Sequence, residues 1–95
     1  MEITSKAKAE GTFIISNKVG LHARAAARFV STASKFESDI MLEKNGYKVN
    51  GKSIMGIMTL AAPKGEKLVI KAVGIDAKEA ITSLGKLINS KFGEE

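Results

Sequence analysis

The segment Gly20-Leu21-His22-Ala23-Arg24 holds residue types whose spacing can do chemistry. Helical periodicity begins at Ala23, which places His22 at the start of a helix. The backbone N–H groups of Ala23, Arg24 and Ala25 then have no intrahelical acceptor, and the helix dipole is positive at that end. Such an end binds anions, phosphate above all. Arg24 adds a planar donor fork suited to phosphate oxygens, and Gly20 lets the chain turn close beside the site. The same positive surroundings are expected to keep the imidazole neutral and nucleophilic at pH 7. A neutral imidazole beside an anion hole can accept a phosphoryl group covalently and hold it reversibly. The plainer alternative is a surface histidine at a helix N-terminus.

Two further segments invite a functional reading. Gly46-Tyr47-Lys48-Val49-Asn50-Gly51-Lys52-Ser53 matches G-x-x-x-x-G-K-[ST] in every fixed position, so Lys52 and Ser53 could serve a nucleotide. Against this, Tyr47 to Val49 alternates as a strand does, and Asn45-Gly46 already accounts for the first glycine as a hairpin turn. A chain this short with an antiparallel hairpin does not readily build the parallel sheet of an NTPase. The second segment follows Ser53. A short helix, Ile54 to Leu60, can bury Ile57 and Leu60 while leaving Ile54, Met55 and Met58 partly exposed. Methionine suits an adaptable docking surface, and scattered exposed apolar groups are also ordinary on a small protein.

The elements that must position these residues follow from pattern. The expectation is a flexible, solvated extension over residues 1–10, then a single domain over 11–95. Gly11 to Ser16 reads as a strand. Ala26, Phe29, Val30 and Ala33 lie on one face of a helix. Asp39 to Lys44 and Tyr47 to Asn50 form a hairpin, with Tyr47 and Val49 expected on its inner face. Lys67 to Val73 is a fourth strand. Asp76 is expected to cap a last helix with Glu79 in a capping-box pair, and Gly93 to close it. The order βαββαβα, with three apolar helix stripes, predicts an α+β fold: a mainly antiparallel four-stranded sheet covered on one face, an open-faced β-sandwich.

Composition narrows the classes. The chain has 95 residues, no cysteine and one histidine. A disulfide scaffold, a thiol nucleophile and a multi-histidine metal site are excluded, and no metal or cofactor is expected. The formal charge of +5 permits acidic partners. With few aromatics it argues weakly for nucleic acid. No apolar run approaches a membrane span, and residues 1–10 lack an apolar signal core. A cytoplasmic protein is expected.

Gly20-Leu21-His22-Ala23-Arg24-Ala25-Ala26 resembles the active-site segment of the HPr family, the histidine-containing phosphocarriers of the bacterial phosphoenolpyruvate-dependent sugar phosphotransferase system. Asn45-Gly46, continued by Lys52-Ser53-Ile54-Met55-Gly56-Ile57-Met58-Thr59-Leu60, is similar to that family's second signature. The likeness runs from about Gly11 to Phe92. It implies that His22 carries the phosphoryl group on Nδ1, received from enzyme I and delivered to enzyme IIA. Arg24 would steady it. Ala27, Arg28, Lys52, Ile54, Met55, Met58 and Thr59 would belong to the docking face, and Ser53 would match a serine modified by an HPr kinase/phosphorylase. The resemblance implies a monomeric carrier rather than an enzyme with its own substrate. Many members have proline where this chain has Ala25. Together with Asn17-Lys18-Val19-Gly20, that departure resembles the nitrogen-related branch, a regulatory alternative not coupled to sugar import.

Overall fold

The computed structural model describes residues 7–94. Its elements run β1 (Lys8–Ile14), α1 (Ala23–Ala33), β2 (Asp39–Lys44), β3 (Tyr47–Asn50), α2 (Ile54–Met58), β4 (Lys67–Val73) and α3 (Ala77–Asn89), followed by a 3-10 turn at Lys91–Gly93. The strands form one open sheet in the order β1-β4-β2-β3, and every pairing is antiparallel. Register aligns inward residues across the sheet: Ile40 faces Ala72, and Leu42 lies between Ile70 and Val49. These side chains, with Leu68, are buried beneath Phe29, Ile57, Leu84 and Ile88 of the three helices. The expected α+β architecture and element order are therefore present.

Four local expectations need correction. β1 opens at Lys8, because its ladder runs to the end of β4, with Lys8 opposite Val73. Residues 8–10 thus belong to the sheet and not to an extension over 1–10, while residues 1–6 lie outside those described. Tyr47 is exposed, and only Val49 of β3 faces the core. Asp76 stands at the N-cap position of α3 but makes no side-chain cap. Its carboxylate instead accepts the N–H groups of Glu37 and Ser38 at 2.9 and 3.0 Å, and the Ser38 hydroxyl at 2.5 Å. Finally, α3 ends before Gly93. Ser90 is its C-cap, and Lys91, Phe92 and Gly93 follow with φ of 60°, 55° and 71°. Burial of Phe92, at 1% exposure, holds this left-handed turn in place.

α2 is also shorter than expected, ending at Met58. Its inward residues are the expected ones, Ile57 and the following Leu60. The nucleotide-loop string dissolves into structural parts. Gly46, at φ 84°, forms the β2–β3 turn, and Gly51 donates its N–H to the Ile40 carbonyl at 2.7 Å. The Lys52 amine donates to the Phe36 carbonyl at 2.7 Å, and the Ser53 hydroxyl accepts the Gly56 N–H at 3.0 Å as the cap of α2.

Candidate functional site

The loop before α1 is fixed from both sides. Gly20 adopts φ 74°, and a Cβ there would stand 2.6 Å from the Ala62 carbonyl oxygen and 2.9 Å from Cα of Pro63. Such proximity lets the Leu21 N–H reach the Ala62 carbonyl at 2.8 Å. Asn17, fully buried, donates from Nδ2 to the Gly20 carbonyl at 2.7 Å. The loop delivers His22 to the N-cap of α1 in an extended conformation, with φ −86° and ψ −176°.

At that cap the two ring nitrogens of His22 face different groups. Nδ1 accepts the Arg24 N–H at 3.3 Å. Nε2 lies 2.7 Å from Oε2 of Glu94. The His22 side chain retains 33% of its surface and Glu94 only 11%, so the ring is reachable while its carboxylate partner is largely covered. Ala26 donates the first intrahelical bond, to the His22 carbonyl at 2.8 Å. The N–H groups of Ala23, Arg24 and Ala25 therefore lie ahead of the intrahelical ladder, as expected of an anion-binding helix start. Arg24 is exposed beside His22 in an open hollow completed by Lys18, Val19 and Glu94. Ala25 is buried and keeps the helix start intact without proline.

Glu94 and Asn17 are the site residues that sequence reasoning missed. Glu94 is 72 positions from His22, and no local pattern marks it. Asn17 holds it by a second bond from Nδ2, to Oε1, at 3.0 Å. Arg28 secures the same turn by donating to the Phe92 carbonyl. Partial burial opposes ionisation of Glu94, yet hydrogen bonds from Asn17 and His22, with the electrostatic pull of His22 and Arg28, bring its carboxyl below the usual 4.5. The sequence reading surrounded His22 with positive groups alone; the structure sets a carboxylate against its second nitrogen.

Of the residues assigned to a docking face, Ala27 and Arg28 are exposed on α1, and Ile54, Met55 and Met58 are exposed on α2, which packs against α1. Thr59 is exposed with its hydroxyl donated to the Gly56 carbonyl at 2.6 Å. Lys52 is half-buried, with its amine tied to the Phe36 carbonyl.

A reachable imidazole nitrogen at a helix start, on an open four-stranded sheet, defines a protein that can hold a phosphoryl group. Comparison with known proteins agrees. Residues 9–90 match the family described as PTS HPr component phosphorylation site. A phosphocarrier protein HPr of Neisseria meningitidis is 52% identical over 84% of this chain and 90% of its own length. The crystal structure of HPr from Thermoanaerobacter tengcongensis superposes with a TM-score of 0.88 at 57% identity, covering 92% of this chain and 98% of that one. An HPr dimer from the same organism covers 99% of this chain and 100% of its own, at 51% identity and a TM-score of 0.74. The chain belongs to the HPr family: it carries phosphoryl groups on histidine within the phosphotransferase system and is not a catalyst of its own.

Proposed function

We propose that His22 accepts the phosphoryl group on Nδ1 from phosphorylated enzyme I and passes it to an enzyme IIA domain. The observation that carries this reading is the placement of Nδ1 over the start of α1, where among the described residues it meets only the long, replaceable 3.3 Å contact from the Arg24 N–H. A phosphoryl group on Nδ1 would bring its oxygens to the unladdered N–H groups and to the Arg24 guanidinium. The exposed apolar residues of α2 and Arg28 of α1 would form the docking face, with weak, steered contacts that let the carrier leave quickly. We place the exchange in the cytoplasm; among the described residues no helix is long and apolar enough to cross a membrane.

Ser53 is proposed as a regulatory site for an HPr kinase/phosphorylase. Its hydroxyl caps α2 directly before exposed Ile54 and Met55. A phosphate there would favour the helix start and place charge within the apolar docking face. Sugar import is the proposed pathway. The nitrogen-related branch, suggested by Ala25, is distinguished by which IIA domain takes the group. A monomer is the proposed working form, checked by light scattering because a related HPr forms a dimer.

The test is intact mass after incubation with phosphoenolpyruvate, Mg²⁺ and enzyme I. Wild type should gain one acid-labile phosphoryl group and His22→Ala none. An adduct that persists in His22→Ala, or no adduct in wild type with enzyme I from the same organism, overturns the reading.

A further inference from the structure

Successive side chains of a strand alternate faces, and β2 turns Ile40 and Leu42 into the core beneath the helices. Lys44 is next in that row, a charged residue where the pattern sets an apolar one. It is half-buried, and its amine finds backbone acceptors. Nζ donates to the Leu60 carbonyl at 3.0 Å and to the Ala61 carbonyl at 3.4 Å. Both carbonyls lie just past α2, at the end of a helix where a cation is favourable.

The chain that leads from these carbonyls to the His22 loop is short. Ala61 adopts φ 48°, a left-handed conformation that a residue with a Cβ resists. Ala62 follows, buried, and its carbonyl accepts the Leu21 N–H at 2.8 Å. The same carbonyl and Cα of Pro63 form the wall that Gly20 approaches closely. Beyond Pro63 the segment is tied down again, where the Gly65 N–H donates to the Ile15 carbonyl at 2.7 Å. Residues 61–63 are thus a ledge with two anchors, Lys44 before it and the chain just after β1 behind it. The loop that delivers His22 rests on this ledge.

We infer that Lys44 is a positioning residue for phosphoryl transfer: by holding Ala61 in its left-handed conformation it fixes the Ala62 carbonyl and, through Leu21, the aim of His22. This rests on the carrier reading of His22. Lys44 acts through the ledge and not on the phosphoryl group. Water could satisfy the Leu60 and Ala61 carbonyls in its place, but water would not draw them to a fixed point on β2. Loss of the amine therefore costs alignment at His22 more than it costs stability of the fold, and transfer is steeply sensitive to alignment.

Lys44→Met keeps an unbranched stem and removes the donors. With enzyme I and phosphoenolpyruvate, its maximal rate of phosphorylation should fall roughly 3–10-fold, short of the ~100-fold that a misplacement of about 1 Å can cost. KM should stay near wild type, because Ile54 and Met55 at the other end of α2 still present the docking face. Hydrogen exchange of the Leu21 N–H should quicken, while the amides of the β1–β4 ladder keep their wild-type protection. An unchanged maximal rate, an effect confined to KM, or a Leu21 N–H as protected as in wild type overturns the inference. Equal loss of protection at Leu21 and along the β1–β4 ladder overturns it too, since Lys44 would then only stabilise the sheet. The two readings fail separately: a wild type that takes no phosphoryl group overturns the carrier reading, whereas Leu21 exchange judges the Lys44 contact in any case.

Discussion

A methyl group added at Gly20 would stand 2.6 Å from the Ala62 carbonyl oxygen, on a backbone already at φ 74°. Strain at a left-handed position costs a non-glycine residue about 1–3 kcal/mol, and here the loop must also move off Ala62. Gly20→Ala should therefore lower stability by at least that amount and slow phosphorylation of His22, measured by thermal unfolding and by intact mass. An unchanged transfer rate would mean that the loop does not set the ring. At this scale the sequence is informative about half of the site. His22, Arg24 and the glycine beside them announce themselves because they are adjacent. Glu94 does not, because its meeting with His22 depends on where the turn after α3 folds back, and a buried Phe92 decides that.

α2 shows what an element can reveal of itself. Ser53 reads as its cap from sequence and is its cap in the structure, accepting the Gly56 N–H. Ile57 is fully buried as its spacing demands. Removing the cap with Ser53→Ala should cost about 1 kcal/mol, a fall in midpoint of about 4–8 °C for a domain of this size, with phosphoryl transfer retained. Ser53→Asp preserves a capping oxygen and adds charge beside Ile54 and Met55. It should hold the midpoint near wild type while slowing transfer from enzyme I by roughly tenfold or more, since about 1.4 kcal/mol of lost docking suffices for that. Equal transfer by both variants would remove the docking role from this end of α2. The nucleotide-loop match failed at the same scale: its residues are placed by the β2–β3 pairing, and a string of letters does not show that Gly51 packs on Ile40 or that Lys52 reaches Phe36.

The whole molecule is closed by contacts that cross the chain, and Asp76 is the clearest of them. Sequence gives it a local task, the start of α3, since Asp followed three residues later by Glu is a capping pattern. Instead its carboxylate reaches back to the segment between α1 and β2 and gathers Glu37 and Ser38, joining both connections at one end of the sheet. The hydrogen bonds from the Ser38 hydroxyl and the Glu37 N–H outweigh partial burial and hold the Asp76 carboxyl below its usual 3.8. The sign follows from linkage. A carboxyl whose folded value is depressed binds fewer protons folded than unfolded, so its contribution is complete well above pH 3.8 and is lost as pH falls through the lower, folded value. Glu94 acts in the same sense, with its loss beginning nearer its own ordinary 4.5. Unfolding midpoints measured from neutral pH downward should therefore fall more steeply in wild type than in Asp76→Asn, and the two curves should converge in acid. Glu94→Gln should remove the part of the slope that starts at the higher pH and leave the Asp76 part in place. Parallel curves for wild type and Asp76→Asn would show that this carboxylate does not tie the two connections together.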